Sequence, residues 1–203
     1  MGVPKATLPF GDETMLARVV RLLRSEVEPI VVVAAPDQEL PPLPAAVQVA
    51  RDRRSGKGPL EGLLAGMAAL PRQCAAAFAT SCDVPLLLPA FVRRMVKLWR
   101  ESGVDIVVPE SDGFCHPLAA VYAQGVCTAI ESLLAADRLR PYYLFDMLPT
   151  LRVPAAAWAD ADPQSLSLRN LNQREDYLRA LSQAGFAPPA ALLDHWGQRD
   201  HQA

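Results

Sequence analysis

Short, apolar, β-branched runs alternate with segments of helical periodicity along this chain, and that rhythm limits the folds open to it. Residues 15–26 place Leu16, Val19, Val20, Leu22 and Leu23 at helical spacing. Residues 30–34 (IVVVA) have the composition of a strand buried on both faces. Residues 47–50 read as a second strand, followed by a polar, basic loop over 51–57. Gly58-Pro59 then opens a helix to about Leu70, with proline where its missing N–H had no partner anyway. Further strands are predicted at 75–80, 106–108, 116–122 and 151–153. Further helices are predicted from Pro89 to about Arg100, over 125–136 and over 174–184, the last ending at Gly185. The proline-rich stretch 38–45 is a loop or a poor helix. Strands alternating with helices predict an α/β fold with a mainly parallel sheet covered on both sides. Ligands of such sheets bind beyond the C-terminal ends of the strands, so the residues just after each strand are the candidates for function.

The bulk properties exclude several classes. The 203 residues suit one core, expected over 1–187, with an irregular tail over 188–203 after Pro188. A net charge of −2 gives no case for a nucleic-acid partner, and the cluster Arg51, Arg53, Arg54 and Lys57 reads by itself as a solvated loop. No apolar run is long enough to cross a membrane, and no basic-then-apolar leader is present at the start. Cys74, Cys82, Cys115 and Cys127 lack CxxC spacing, which argues against zinc and points to small apolar thiols in a reducing compartment, the cytoplasm.

Four segments stand where a site would form. Lys5, in MGVPK, precedes a turn at Pro9-Phe10-Gly11 and could hold a phosphate as a compact point charge. Asp52 ends a strand ahead of Gly58-Pro59-Leu60-Glu61-Gly62, where Gly58 permits close backbone approach and the helix N-terminus offers free N–H groups to an anion. Asp83, in SCDVP, follows a buried strand, and one carboxylate with substrate phosphates is a usual way to hold Mg²⁺. Its ordinary alternative is a helix cap. Asn170 and Asn172 flank Leu171, so in an extended chain their amides share one side and suit a polar heterocycle. Asn172 is also placed to cap the last helix, with Glu175 completing a capping box. His116, beside Pro117, has a structural or substrate-adjacent role, and Trp99, Trp158 and Trp196 are too dispersed for a stacking platform.

Taken in order, PKATLPFG, RD, GPLEGLLAGM, SCDVPLL, HPLAAVY and NLNQRED resemble the molybdenum cofactor guanylyltransferases, the MobA family of nucleotidyltransferases, over about residues 1–181. The resemblance implies a Rossmann-like three-layer nucleotidyltransferase fold. It also implies Mg²⁺-dependent transfer of GMP from GTP to the phosphate of molybdopterin or its molybdenum form, with release of pyrophosphate. It matches Asp83 to the metal-binding aspartate, Lys5 to the motif lysine that contacts nucleotide, and Asp52 and Gly58 to nucleotide-binding positions. Asn170 and Asn172 match the pair on the pterin side. Where the family often carries Asn after its second strand, this chain has Ala34. Cofactor-biosynthesis proteins or acceptor molybdoenzymes are the partners implied. The family begins with a strand and a glycine-rich LAGGxSxRMGxPK segment, and this sequence begins at its MG. The expectation is therefore a longer natural protein, and weak nucleotide binding by a chain without that segment. Two other readings stay open: a molybdopterin cytidylyltransferase or sugar-phosphate nucleotidyltransferase of the same fold, and a non-catalytic relic of it.

Overall fold

The computed structural model describes residues 3–54 and 56–200. Met1, Gly2, Ser55 and His201 lie outside the described residues. After a 3-10 turn at Lys5–Thr7 come strands β1 (Pro9–Phe10) and β2 (Glu13–Thr14) and helix α1 (Met15–Arg24). There follow β3 (Val31–Ala34), β4 (Gln48–Arg51), α2 (Gly58–Ala69), β5 (Ala76–Thr80), α3 (Pro89–Ser102), β6 (Ile106–Ser111), β7 (Phe114–Cys115) and β8 (Ala119–Ala123). The chain ends with α4 (Cys127–Ala135), α5 (Tyr142–Met147), β9 (Thr150–Pro154), α6 (Arg174–Gln183) and α7 (Ala190–Asp200).

The α/β class is as expected, but the sheet is mixed where a mainly parallel one was predicted. β3 pairs with β4 and β6 with β9 in parallel, whereas β8 runs antiparallel to both β5 and β6. The cause is local. Asp112 and Gly113 both take positive φ, 51° and 78°, and turn the chain back on itself after β6. A tight hairpin can only return antiparallel. The returning strand is β7 and then β8, and its register on β6 slips across 116–118.

β3 pairs with β4 alone and β5 with β8 alone among the described residues, so each carries an open edge. The same helix covers both. Gly62 and Gly66 of α2 lie against Val33, and a Cβ at Gly66 would stand 3.0 Å from that side chain. Leu60, Leu64 and Met67 of α2 join the cluster that packs Ala77 and Ala79 of β5. All five residues of β5 are only half-buried, as an open edge requires. β3 likewise alternates, with Val32 and Ala34 buried and Val31 and Val33 half-buried, rather than being buried on both faces. On the opposite face Val32 and Phe78 share a cluster with α1, α3 and the buried Trp158.

Besides the two-residue strands β1, β2 and β7, two helices were not expected from the sequence. α5 is short, and it buries Leu144 and Phe145. The stretch expected as an irregular tail contains α7. Trp196 is 4% exposed there and packs edge-to-face on Tyr177, with centroids 5.9 Å apart. Leu192 lies one helical turn earlier and joins the same cluster. Burying an indole outweighs the polar character of the surrounding residues. No helix among the described residues is long and apolar enough to cross a membrane.

The third cluster also fixes the entry to α1. Thr14 caps that helix by accepting from the Ala17 N–H at 3.2 Å. Gly11, at φ 68°, makes the turn between β1 and β2, and an added Cβ would come within 2.7 Å of the Phe186 ring. That ring packs edge-to-face on Phe10, with the Arg18 guanidinium 5.0 Å from Phe10 and 5.6 Å from Phe186. Gly11→Ala combines left-handed strain with overpacking and should cost about 2–4 kcal/mol of unfolding free energy. Denaturant titration measures it, and an unchanged midpoint would refute the account.

Candidate active site

Lys5 is fixed by its own turn. The Thr7 N–H donates to the Pro4 carbonyl and the Leu8 N–H to the Lys5 carbonyl, both at 3.2 Å, while Ala6 and Leu8 are buried. From this anchor the Lys5 ammonium reaches two of the other predicted residues at once. It donates to Asp83 Oδ2 at 2.7 Å and to Asn172 Oδ1 at 2.6 Å.

Asp83 stands three residues past β5 and is 6% exposed. The Ser81 hydroxyl donates to its Oδ1, so both carboxylate oxygens are held. The Asp83 carbonyl accepts from the Leu171 N–H at 2.9 Å, which ties this loop to the Asn-Leu-Asn segment. Arg18 of α1 fastens the same loop, donating through Nε to the Pro85 carbonyl at 2.7 Å. Leu171 is buried and Asn170 and Asn172 are exposed, the alternation expected of an extended chain. Asn170 lines a small cleft of about 150 Å³ with Leu86, Asp176 and Gln183.

Asn172 does not cap α6. Gln173 does, in a capping box closed by Asp176, whose carboxylate accepts from the Gln173 N–H at 3.1 Å. The box lies one residue later than expected, because Gln173 and Asp176 supply the same i, i+3 pair. The shift leaves the Asn172 amide to Lys5.

Asp52 and Gly58 stand apart from this cluster, at the end of β4 and the start of α2. The Asp52 N–H donates to the Ala34 carbonyl at 3.0 Å, while Ala34 itself is buried. Asp52 Oδ1 is buried with no hydrogen-bond partner. Burial, and then the nearby Glu61 carboxylate, push the Asp52 carboxyl above its ordinary range. Gly58 takes φ 67°, a left-handed conformation that favours glycine at the mouth of the helix. Beside them Arg54 and Glu61 form an ion pair that the sequence reading passed over. The one sequence signal for it was a glutamate in the first turn of an otherwise apolar helix.

Cys82, next to Asp83, has its thiol pushed up by burial and by that carboxylate, which keeps it protonated and a poor nucleophile. Among the described residues no group of three or more His, Cys, Asp or Glu side chains could hold a metal unaided. A single buried carboxylate paired with a partly exposed lysine does fit a hard divalent cation whose other ligands are phosphates and water.

His116 sits where the register slips and shares a hydrogen bond between its Nε2 and Ser111 Oγ at 2.8 Å. Burial holds the imidazole below its usual range, against a smaller opposing pull from Asp112. A base lowered in this way favours folding while neutral. Its contribution is complete above about pH 6.5 and is lost as pH falls through the lowered value. On acidification to about pH 5 the protein should lose more stability than its His116→Gln variant. Chemical unfolding at both pH values checks this, and parallel losses would refute it.

Residues 1–147 match the model of the MobA-like NTP transferase domain. A probable molybdenum cofactor guanylyltransferase of Mycobacterium avium is 36% identical over 187 residues, covering 91% of this chain and 89% of the relative. The crystal structure of molybdopterin-guanine dinucleotide biosynthesis protein A from Archaeoglobus fulgidus superposes with a TM-score of 0.75 at 18% identity, covering 91% of this chain and 92% of its own. A Mycobacterium tuberculosis structure, Rv0371c in complex with manganese, superposes with a TM-score of 0.59 at 16% identity, covering 89% and 93%. At these identities the two solved structures speak to the fold.

Proposed function

The chain belongs to the MobA-like NTP transferase family, and on that premise we propose that it transfers GMP from GTP to the terminal phosphate of molybdopterin or its molybdenum form, releasing pyrophosphate. The observation that carries this reading is the single ammonium of Lys5 lying between the buried carboxylate of Asp83 and the exposed amide of Asn172. A nucleotide side and an acceptor side meet there.

An oxygen of the acceptor phosphate attacks the α-phosphorus and forms the new P–O bond. The bond from the α-phosphorus to the pyrophosphate oxygen breaks, and pyrophosphate leaves with the electron pair. The acceptor phosphate is already ionised at neutral pH, so the chain need not supply a strong base. Its work is alignment and charge neutralisation. Asp83 would hold Mg²⁺ together with the substrate phosphates, and the cation, when bound, offsets their charge. Lys5 leaves Asp83 for the triphosphate when substrate arrives. Ser81 and the Leu171 N–H keep Asp83 and its loop in place meanwhile. Asp52 and the start of α2 at Gly58 receive the nucleoside end, and Asn170 with Asn172 receives the pterin. Four free thiols suit the reducing cytoplasm, where this cofactor chemistry would be carried out. Enzymes that accept the finished dinucleotide cofactor are the protein partners this reading implies.

With GTP, molybdopterin and Mg²⁺, formation of the guanine dinucleotide should exceed that of the cytosine product from CTP. Preference for CTP would favour the cytidylyltransferase reading instead. Asp83→Asn should lower the transfer rate at least ~10²-fold with the fold intact by circular dichroism. An Asp83→Asn protein with undiminished transfer would remove Asp83 from the reaction, and wild-type protein that transfers nothing would favour the non-catalytic reading. Asn170→Ala should raise KM for the pterin substrate several-fold and leave KM for GTP unchanged, and steady-state kinetics with each substrate varied in turn separates the two.

A further inference from the structure

A buried charge is costly unless it is paired, and Glu61 is 1% exposed in the first turn of α2. Its partner is Arg54, which donates to a single oxygen, Oε2, through Nε at 3.1 Å and through Nη2 at 2.9 Å. That geometry occupies the Nε side of the guanidinium. The two-pronged Nη end keeps donors to spare on a side chain that is 47% exposed. Fastening a loop to a helix does not require such a pair, since apolar residues of similar volume do it without desolvating charge.

The immediate neighbour is the acceptor left unused. Asp52 Oδ1 is buried without a partner, and a Cβ on Gly62 of α2 would lie 3.6 Å from it. The end of β4 therefore carries a buried, unsatisfied carboxylate oxygen against α2 and, two residues on, a held guanidinium. Guanine offers the matching pattern, with N1–H and N2–H donors beside the O6 and N7 acceptors. Cytosine lacks the paired O6 and N7 acceptors. Arginine bidentate to O6 and N7 is the commonest base-specific contact of proteins in the DNA major groove, and the same donor fork suits a free guanine. The placement suits the base of a nucleotide. Asp52 and Arg54 follow β4, and Asp83 follows β5, a strand of a different sheet.

We propose that Arg54 reads the O6 and N7 edge of guanine beside Asp52, that Glu61 is the positioning residue that holds it there, and that this unit sets the choice of base. The inference rests on the reading of the protein as a GTP-using transferase.

Calorimetric titration of the full chain in Mg²⁺ with GTP, 7-deaza-GTP and CTP tests it. The wild type should bind 7-deaza-GTP, which lacks the N7 acceptor, roughly tenfold more weakly than GTP. Arg54→Ala should weaken GTP by roughly tenfold or more, leave CTP unchanged and erase the difference between GTP and 7-deaza-GTP. Glu61→Ala should show part of the same loss, Glu61→Gln less of it, and the double alanine variant no more than Arg54→Ala alone. Equal weakening of GTP and CTP would place Arg54 on the phosphates and overturn the proposal. So would a lowered melting temperature with the GTP to 7-deaza-GTP ratio unchanged, which marks a loop fastener only. Wild-type protein that shows the base discrimination but transfers no GMP to molybdopterin would overturn the proposed reaction and leave base reading standing. Wild-type protein that binds no GTP would overturn both.

Discussion

The Lys5 ammonium is the junction on which the candidate centre depends. It is paired at hydrogen-bond distance with a carboxylate 78 residues away and an amide 167 residues away. Such a junction holds only if all three backbones are independently fixed, because a flexible lysine gains little from an ion pair in water. Each backbone is fixed by something other than the lysine. The 3-10 turn with buried Ala6 and Leu8 sets the first. β5 and the Arg18 bond to the Pro85 carbonyl set the second, and the Leu171 N–H on the Asp83 carbonyl sets the third. The charge cluster is therefore preorganised by contacts other than the ion pair itself, which is the arrangement that phosphate chemistry calls for.

The sheet distributes the remaining functions. Its mixed pairing follows from one turn at Asp112-Gly113, and the strands that precede the candidate residues, β4 and β5, belong to two different sheets. Helix α2 spans that region, presenting glycine to Val33 of β3 and larger side chains toward β5. Small residues on one stretch and leucines on the next let a single helix cover strands that are not bonded to each other. The same helix begins at Gly58 and buries Glu61, so its N-terminus couples the core to the loop that carries Asp52 and Arg54.

Much of this was legible in the residues. The β-branched runs and the helical spacing of 15–24 located most elements, because burial of one face imposes a period that the sequence must obey. The capping box of α6 was legible in kind but not in register, since Asn172 and Gln173 both precede an acid by three residues and only packing chooses between them. The antiparallel course of β8 was not legible, because strand direction leaves no mark on an apolar run. Nor was α7, whose single buried indole lies among polar residues.

The site divides in the same way. Sequence by itself determined the chemistry on offer: a carboxylate just past a buried strand, a lysine ahead of a turn, a glycine-proline helix start, and two amides on one side of an extended chain. Those follow from local geometry, which a few neighbouring residues settle. Only the tertiary structure decided that Lys5, Asp83 and Asn172 share one centre while Asp52 stands apart with an unpaired oxygen beside Arg54 and Glu61. Contacts between residues far apart in the chain are fixed by how helices and strands pack, and no local pattern encodes that.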